Sequence, residues 1–195
     1  MGQTAIDKQP VVGVVRVTRD GVAGDAQANH RHHGGPDQAV YAYGSADAVW
    51  WQDRIGAPRP PGSFGENLRV AGIDVSATRI GDHWRVGGVV VEVTGPRIPC
   101  RVLAGFWDRP GLIDEFIDAG RPGAYLRVIE PGSVVAGDPV TVEPAATTVT
   151  VADTLRIVTR APHRAAELAE IAARTTPAVR RWLAAQGVGD ETAAD

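Results

Sequence analysis

Short apolar runs rich in valine, each bounded by glycine or proline, recur along the first 143 residues of the chain. β-branched runs of this length predict strands, and the glycines and prolines between them predict tight turns. Seven such segments occur, at residues 11–17, 40–43, 62–70, 83–86, 89–93, 124–129 and 139–142. Two of them, 83–86 and 89–93, flank Gly87-Gly88 and therefore predict a hairpin.

Two helices are predicted among these strands. Ser45 is placed to cap a helix over residues 46–52, with Asp47 in its first turn. A later helix is predicted to begin at Pro110 and to end at Gly120, with its apolar side chains on one face. No βαβ rhythm repeats, and no Walker or Rossmann glycine loop occurs. The predicted fold class is therefore mainly β with helices (α+β), a barrel-like mixed β fold rather than a doubly wound sheet.

The composition changes after residue 143, where the chain lacks glycine from 148 to 186 and three short helices are predicted. Thr150 and Asp153 form a capping-box-like pair for the first helix. Pro162 is expected to begin the second helix, and Thr176-Pro177 the third.

A unit of about 40 residues rarely has enough core to be stable alone, so these helices are expected to pack on the barrel or on a partner subunit. We therefore predict a main domain at 1–146, a three-helix appendage at 147–188 and a disordered tail at 189–195.

Charge and length restrict the class of protein. The net charge of -3 does not favour binding to nucleic acid, and nineteen of the twenty basic residues are arginine, whose planar fork suits phosphate and carboxylate. No apolar run approaches the ~20 residues needed to span a bilayer, and residues 1–9 lack the apolar core of a signal peptide. A soluble cytoplasmic protein without a membrane partner is expected.

Cys100 is the only cysteine in the 195 residues, and it follows the strand predicted at 89–93. Residues 95–99 contain one glycine and two prolines, which are expected to exclude regular structure and to form a stiff turn that presents the thiol. Arg97 and Arg101 flank it, and fixed cations favour the thiolate, the form that attacks electrophiles and binds metals. A lone cysteine is equally well a small buried apolar residue, and both interpretations stay open.

A histidine-rich segment, residues 29–35, lies between the first two predicted strands and holds His30, His32 and His33. Their spacing is poor for zinc, and no CxxC or HExxH motif accompanies them. Imidazoles and glycine amides beside a cation favour anion binding, although a solvated polar turn is an equal alternative. His32 or His33 could instead serve as the base of a Cys-His catalytic pair.

The segment Phe64-Gly65-Glu66-Asn67 is a second candidate for binding. The amide of Gly65 and the side chain of Asn67 can bind a polar ligand. A glycine before a strand is, however, often only part of a turn.

Four segments together resemble the MOSC-domain family, which is named after the C-terminal domain of molybdenum-cofactor sulfurase, and in particular its small stand-alone bacterial branch, the YiiM-like proteins. The resemblance lies in residues 24–25 with 32–40, 64–68, 96–100, and 120–128 with 131–132 and 137–139. These segments cover roughly residues 11–143 in the family's order, and the tail resembles the three-helix appendage of the same branch.

The resemblance implies a β-barrel-like fold that binds the molybdenum cofactor (Mo-molybdopterin), in which a pterin phosphate holds molybdenum through its dithiolene. The family's motif cysteine, here Cys100, is implied to be the molybdenum ligand and catalytic residue, a role that suits soft sulfur. Arginine and backbone amides suit the pterin phosphate. The implied cofactor-binding residues are Arg97, His32, His33, Gly34, Gly65, Glu66 and Asn67. None of the implied site residues lies beyond Asp138, so the C-terminal helices are expected to be structural and dispensable for cofactor chemistry.

The family's relatives reduce N-hydroxylated compounds, such as hydroxylaminopurine-type base analogues and amidoximes, to the amine or amidine. The resemblance therefore implies an oxidoreductase with a small N-hydroxylated substrate. A single cysteine cannot hold an iron–sulfur cluster, so an external flavoprotein or iron–sulfur electron donor is implied. A homodimer is also compatible with the sequence. The 195 residues do not include the pyridoxal-phosphate domain of the sulfurase, so the chain is not expected to sulfurate the cofactor itself. The alternative is a non-catalytic module that carries the cofactor or its sulfur, and a zinc protein or cysteine hydrolase comes third.

Overall fold

The computed structural model describes residues 6–25 and 35–189, and within them nine strands and five α-helices. The strands are β1 Val15–Thr18, β2 Gly21–Val22, β3 Val40–Gly44, β4 Leu68–Val70, β5 His83–Val86, β6 Val89–Pro96, β7 Ala124–Glu130, β8 Gly132–Val134 and β9 Val140–Glu143. The α-helices are α1 Ser45–Ile55, α2 Arg101–Phe106, α3 Leu112–Ala119, α4 Val151–Arg160 and α5 Pro177–Ala185. Three 3-10 helices occupy Pro36–Gln38, Val75–Ala77 and Pro162–Ile171.

The strands form a six-stranded sheet in the order β4-β3-β7-β6-β5-β9 and a three-stranded sheet in the order β2-β1-β8. Neighbouring strands are antiparallel except β3 and β4, which are parallel. The larger sheet curls into a half-barrel, which confirms the predicted α+β, barrel-like class. The predicted hairpin is also confirmed, because Val86 pairs with Val89 across the two-glycine turn.

Strand β6 continues beyond its predicted end. Gly95 pairs with Tyr125 and Pro96 with Ala124 on β7, after an irregularity in register between Val93 and Gly95. The prediction that Gly95 and Pro96 exclude regular structure is therefore wrong. Both residues lie at a bulge and at a strand end, where the missing amide of proline and the missing side chain of glycine are tolerated.

The N-terminal strand begins at Val15, and the predicted strand residues Val11, Val12 and Val14 are 62%, 99% and 72% exposed. A strand needs a partner or a buried face, and this stretch of valines has no buried side chain to hold it. β2, β8 and α2 were not predicted, because two, three and six residues are too few to show a period.

Two predicted helix starts are also wrong. Ser45 is the first helical residue rather than the cap, and the capping position belongs to Gly44 without a side-chain hydrogen bond. Helix α3 begins at Leu112, after Gly111, rather than at Pro110. Its predicted end at Gly120 is confirmed.

The interior consists of two apolar clusters. The first is aliphatic and lies between the strands and the C-terminal helices. The second, which we call the aromatic cluster, contains Tyr41, Tyr43, Trp51, Phe64, Trp107 and Phe116 among its buried residues. Cys100 and Tyr125 are partly buried against the aromatic cluster, so this cluster is the part of the fold that supports the candidate site.

The three predicted C-terminal helices are confirmed as α4, a 3-10 helix and α5. The predicted cap is confirmed too, because the Thr150 hydroxyl accepts the amide of Asp153 at 3.0 Å. These helices contribute buried aliphatic side chains to the same cluster as the strands, namely Ile157, Leu168, Ile171, Val179 and Leu183. They pack on the sheet, as the sequence predicted. Among the described residues, no helix is both long enough and apolar enough to cross a membrane.

Candidate functional site

Cys100 lies where the chain leaves the central strand β6 and enters helix α2. Residues 97–100 have no regular structure, and Cys100 occupies the position before the first helical residue with an extended backbone. Its carbonyl accepts the amides of Leu103 at 3.1 Å and Ala104 at 3.2 Å, which fixes the start of the helix. The side chain is partly exposed and packs against the aromatic cluster, so the thiol is fixed in position yet accessible.

Arg97 is buried beside this segment, with 7% of its surface exposed. Its Nη1 donates to the carbonyl of Phe64, and its guanidinium lies 5.2 Å from the centre of the Tyr41 ring. Its Nε is buried without a partner, and no carboxylate of the described residues forms an ion pair with Arg97. A buried cation without an acidic partner is costly, so this part of the site favours an anion.

The electrostatics of the cluster connect Arg97 with Cys100. Burial alone would lower the pKa of the Arg97 guanidinium, but its interactions with Tyr41, Tyr125 and Cys100 outweigh burial and raise that pKa. Burial raises the pKa of Tyr41 and of Tyr125, against the opposing influence of Arg97. Arg97 therefore stays cationic at neutral pH, and both phenols stay protonated.

Gly65 lies directly against Arg97. Its φ is +75°, and a Cβ built on it would lie 3.4 Å from Arg97 Nη1 and 3.4 Å from the Cα of Ile6. Glycine therefore lets the loop lie close to the guanidinium without strain. Cys100, Arg97 and Gly65 thus lie at the same side of the aromatic cluster.

Glu66 and Asn67 lie in the same loop, but their side chains are engaged in holding it. Glu66 is 4% exposed, and its carboxylate accepts the amides of Gly62 at 2.9 Å and Phe64 at 3.0 Å. The same carboxylate accepts Arg69 Nε at 2.8 Å and also Arg69 Nη2. The loop that gives its Phe64 carbonyl to Arg97 is therefore organised around the Glu66 carboxylate.

Asn67 binds the backbone of Tyr41 on strand β3. Its Oδ1 accepts the amide of Tyr41 at 3.0 Å, and its own amide donates to the Tyr41 carbonyl at 2.8 Å. Its Nδ2 donates to Asp25 at 2.7 Å, and the same carboxylate oxygen accepts Lys8 at 2.7 Å. A direct contact of Glu66 or Asn67 with a cofactor stays a prediction, while their hydrogen bonds give both residues a role in holding the walls of the site.

His32, His33 and Gly34 lie outside the described residues, so their predicted roles stay predictions. Among residues 6–25 and 35–189, no group of three or more histidine, cysteine, aspartate or glutamate side chains is arranged to hold a metal ion.

The aromatic lining is the part of the site that sequence reasoning missed. Tyr41 pairs with Tyr125 in the strand register, and their ring centres are 5.2 Å apart. Tyr43 stacks on Phe64 with ring centres 4.0 Å apart. Tyr41 and Tyr43 are two apart on β3 and therefore face the same side, a period that could have indicated an aromatic wall.

The loop at residues 121–123 covers the tyrosine hydroxyls. Tyr41 donates to the carbonyl of Pro122 at 2.7 Å, and Tyr43 donates to that of Arg121 at 3.0 Å. At Gly123 a Cβ would lie 2.6 Å from the Ala42 carbonyl oxygen and 2.7 Å from the Tyr43 ring. Only glycine lets this loop approach the tyrosines so closely.

Gly123→Ala is expected to destabilise the protein by about 2 kcal/mol more than Gly120→Ala, because only the first introduces overpacking. The two glycines have nearly equal positive φ angles, 65° and 64°, and a Cβ at Gly120 would meet nothing within 4 Å. Both variants therefore carry the same backbone strain. Urea unfolding measures the difference, and equal stabilities would contradict the close approach.

Arginines surround the aromatic cluster. Arg59 lies 4.3 Å from the centre of the Trp107 ring, and Arg121 lies 5.0 Å from that of Trp50. Burial and the neighbouring Arg109 lower the pKa of Arg59, whose Nε is buried without a partner. Arg121 is paired with Asp47, whereas neither Arg59 nor Arg97 forms an ion pair with a carboxylate of the described residues. These two unpaired cations favour anionic groups at this end of the molecule.

The fold and this geometry define a class: a small mixed half-barrel in which the chain leaving a central strand places a cysteine beside a buried arginine. Residues 29–141 match the MOSC domain, a domain of the type found at the C-terminus of molybdenum-cofactor sulfurase. The chain belongs to the MOSC domain family.

Relatives with curated descriptions agree with this assignment. The chain is 37% identical over 135 residues to a Bacillus subtilis protein described as uncharacterized protein YflK, a match that covers 69% of this chain and 61% of the relative. It is 32% identical over 166 residues to protein YiiM of Escherichia coli, covering 82% of this chain and 72% of that protein. A Gibberella moniliformis protein named reductase is 34% identical over 143 residues, which cover 69% of this chain and 25% of that protein.

Solved structures show the same fold. The crystal structure of YiiM from Geobacillus stearothermophilus superposes with a TM-score of 0.81 at 29% identity, over 93% of this chain and 88% of the other. The resemblance to the stand-alone bacterial branch of the MOSC family is therefore confirmed.

Proposed function

We propose that this protein binds the molybdenum cofactor through Cys100 and reduces small N-hydroxylated compounds, such as hydroxylaminopurine-type bases and amidoximes, to the amine or amidine. The observation that carries the proposal is the pairing of the chain's only thiol, partly exposed at the end of β6, with the buried Arg97, which has no acidic partner among the described residues. Membership of the MOSC family and a relative named reductase support it.

The residues at the site suit this cofactor. A thiolate is a soft ligand of the kind that molybdenum accepts, and Cys100 would supply it. Arg97, with its unpaired Nε, would bind an anionic group such as the pterin phosphate, and Gly65 leaves room beside it. Bound there, the cofactor would supply two-electron reduction with transfer of oxygen from the substrate.

The chain's own contribution would be to orient the substrate and to supply protons to it. The raised pKa of Tyr125 keeps its hydroxyl protonated near Cys100, where it can hold a proton at Oη. The buried rings of Tyr41 and Phe64 would restrict water, and the partly exposed ring of Tyr125 would offer a flat surface to a flat base. An external flavoprotein or iron–sulfur protein would supply electrons, since one cysteine cannot hold a cluster of its own.

The proposal is tested on protein purified from a host that makes the cofactor. Metal and pterin analysis is expected to find molybdenum and pterin together, and the loaded protein is expected to oxidise reduced viologen dye when given 6-hydroxylaminopurine. Loaded protein that does not consume the dye would favour the non-catalytic carrier. Protein that contains neither molybdenum nor pterin would contradict both.

Arg97→Lys is expected to weaken pterin retention, because lysine keeps the charge but loses the planar fork that bonds to Phe64 and stacks on Tyr41. Arg97→Ala is expected to weaken it further, by about tenfold, as changes beside a metal ligand commonly do. Pterin content after gel filtration measures both effects. Arg101→Ala, an exposed arginine on the other side of Cys100, is the matched control. Equal pterin content in all of these proteins would refute the role of Arg97.

A further inference from the structure

We propose that the C-terminal helices position the Cys100 segment through a polar network centred on Asp37 and Thr94, and that Arg180 on α5 is a positioning residue. The proposal depends on the proposed function only in treating Cys100 as the working thiol. It departs from the expectation, drawn from the sequence alone, that these helices are dispensable for cofactor chemistry.

Asp37 joins three parts of the fold. It lies in the 3-10 helix Pro36–Gln38, and its Oδ1 accepts Nε of Arg127 on β7 at 2.8 Å. Its Oδ2 accepts Nη2 of Arg180 on α5 at 2.6 Å. One carboxylate therefore binds an arginine of the barrel and an arginine of the C-terminal helices at the same time.

Thr94 carries this connection to the strand that leads to the site. Its hydroxyl donates to the backbone carbonyl of Asp37 at 2.6 Å, and the same oxygen lies 3.0 Å from the carbonyl of Tyr125. Its own carbonyl accepts the amide of Thr176, the residue before α5, at 3.1 Å. Thr94 and Thr176 are buried, so these hydrogen bonds are shielded from water.

The contact falls at the irregular point of β6. The register shifts between Val93 and Gly95, and a Cβ on Gly95 would lie 3.1 Å from Cγ2 of Thr176. The start of α5 therefore packs against the bulge, two residues before Arg97. Because a bulge sets the direction in which a strand ends, the helices that hold it also set where Arg97 and Cys100 lie.

Comparing two arginines of the appendage, Arg180 and Arg160, separates an effect on the position of Cys100 from a general loss of stability. Arg160 on α4 also binds the barrel, through Asp114 at 2.7 Å and Asp118 at 3.0 Å on α3. Its side chain is 42% exposed, compared with 46% for Arg180. Arg160 thus matches Arg180 in residue type, in its own exposure and in pairing with carboxylates outside the appendage. Among the described residues, however, its side chain forms no hydrogen bond or ion pair with Asp37, Thr94 or Gly95.

The test uses the 195-residue chain without cofactor, because its single cysteine makes alkylation by iodoacetamide a direct measure of Cys100. Arg180→Ala is expected to raise the alkylation rate about two- to thirtyfold, the range typical of coupling through packed networks, because the half-buried thiol is held less firmly. Arg160→Ala is expected to leave the rate unchanged. Both variants should melt at closely similar temperatures, since each lost arginine is itself nearly half exposed and Asp37 keeps Arg127 as a partner when Arg180 is removed.

A double-variant cycle tests the route through Asp37. In an Asp37→Asn background, Arg180→Ala should raise the rate much less than in the original protein, since the two residues act as one unit. If Arg180→Ala proves insoluble, Arg180→Lys, which keeps the charge but loses the fork, should give a smaller rise. Unchanged rates in the soluble Arg180 variants, or equal rates in the Arg180 and Arg160 variants, would overturn the proposal. Neither result depends on whether the protein binds molybdenum.

Discussion

Cys100→Ala and Cys100→Ser are each expected to reduce the rate of N-hydroxylated substrate reduction to near background while the fold survives. Alanine removes the donor, and serine replaces soft sulfur by a harder and far less acidic hydroxyl. The side chain is only partly buried, so its loss should cost about 1 kcal/mol of unfolding free energy. A substitution that costs little unfolding free energy but removes nearly all activity distinguishes a metal ligand from a residue that fills the core.

The measurements are dye oxidation with 6-hydroxylaminopurine, metal and pterin content, and thermal unfolding. X-ray absorption should lose the signal from the molybdenum–cysteine sulfur bond, while pterin content should fall only in part because Arg97 remains. Val102→Ala serves as the control, since this neighbouring side chain lies on helix α2, directly after Cys100, and is 53% exposed. A Cys100→Ala protein that keeps both metal and activity would end the molybdoenzyme proposal.

Local sequence signals predicted those elements whose ends carry characteristic turn or capping residues. The hairpin across Gly87-Gly88 and the cap at Thr150 depend on residues within a few positions of each other, and both are confirmed. The extension of β6 through Gly95-Pro96 depends instead on its pairing with β7. Tertiary pairing overrides the local preference of glycine and proline, so the end of that strand could not be predicted from the sequence.

The candidate site shows the same division. The motif segments indicated Cys100, Arg97 and Gly65, which the fold brings to one side of the aromatic cluster. The partnership of Tyr41 with Tyr125 arises from strands 84 positions apart and could not be read from either segment alone. The role of Asp37 was hidden for the same reason, because its arginine partners come from β7 and from α5.

Glu66 and Asn67 show a further limit of motif reasoning. A polar residue in a binding motif can contact the ligand, or it can hold the loop that does so, and the sequence pattern is the same in both cases. In this structure the four hydrogen bonds of the Glu66 carboxylate all go to its own loop and to Arg69. The distinction is therefore a matter of where the carboxylate oxygens point, which only the folded chain determines.

Glu66→Gln is expected to destabilise the protein by about 3 kcal/mol, the scale for breaking a buried ion pair. Arg69 would lose its charged partner, with its side chain only 15% exposed, and the amides of Gly62 and Phe64 would compete for a single acceptor oxygen. For a chain of this length, the loss corresponds to a fall in melting temperature of about 6–12 °C. Because the carbonyl of Phe64 binds Arg97, pterin retention should fall together with stability.

Glu167→Gln provides the matched control, because Glu167 also pairs with an arginine three positions away, Arg164, and their side chains are 51% and 33% exposed. This exposed pair contributes little, so the control should melt at the temperature of the original protein and keep its pterin. A Glu66→Gln protein with unchanged melting temperature but lost pterin would instead place the carboxylate in direct contact with the cofactor. Warming the Glu66→Gln variant separates the two roles. If the carboxylate only holds the loop, the variant should release pterin as the loop melts. If the carboxylate binds the cofactor, the variant should retain less pterin even when it is fully folded at low temperature.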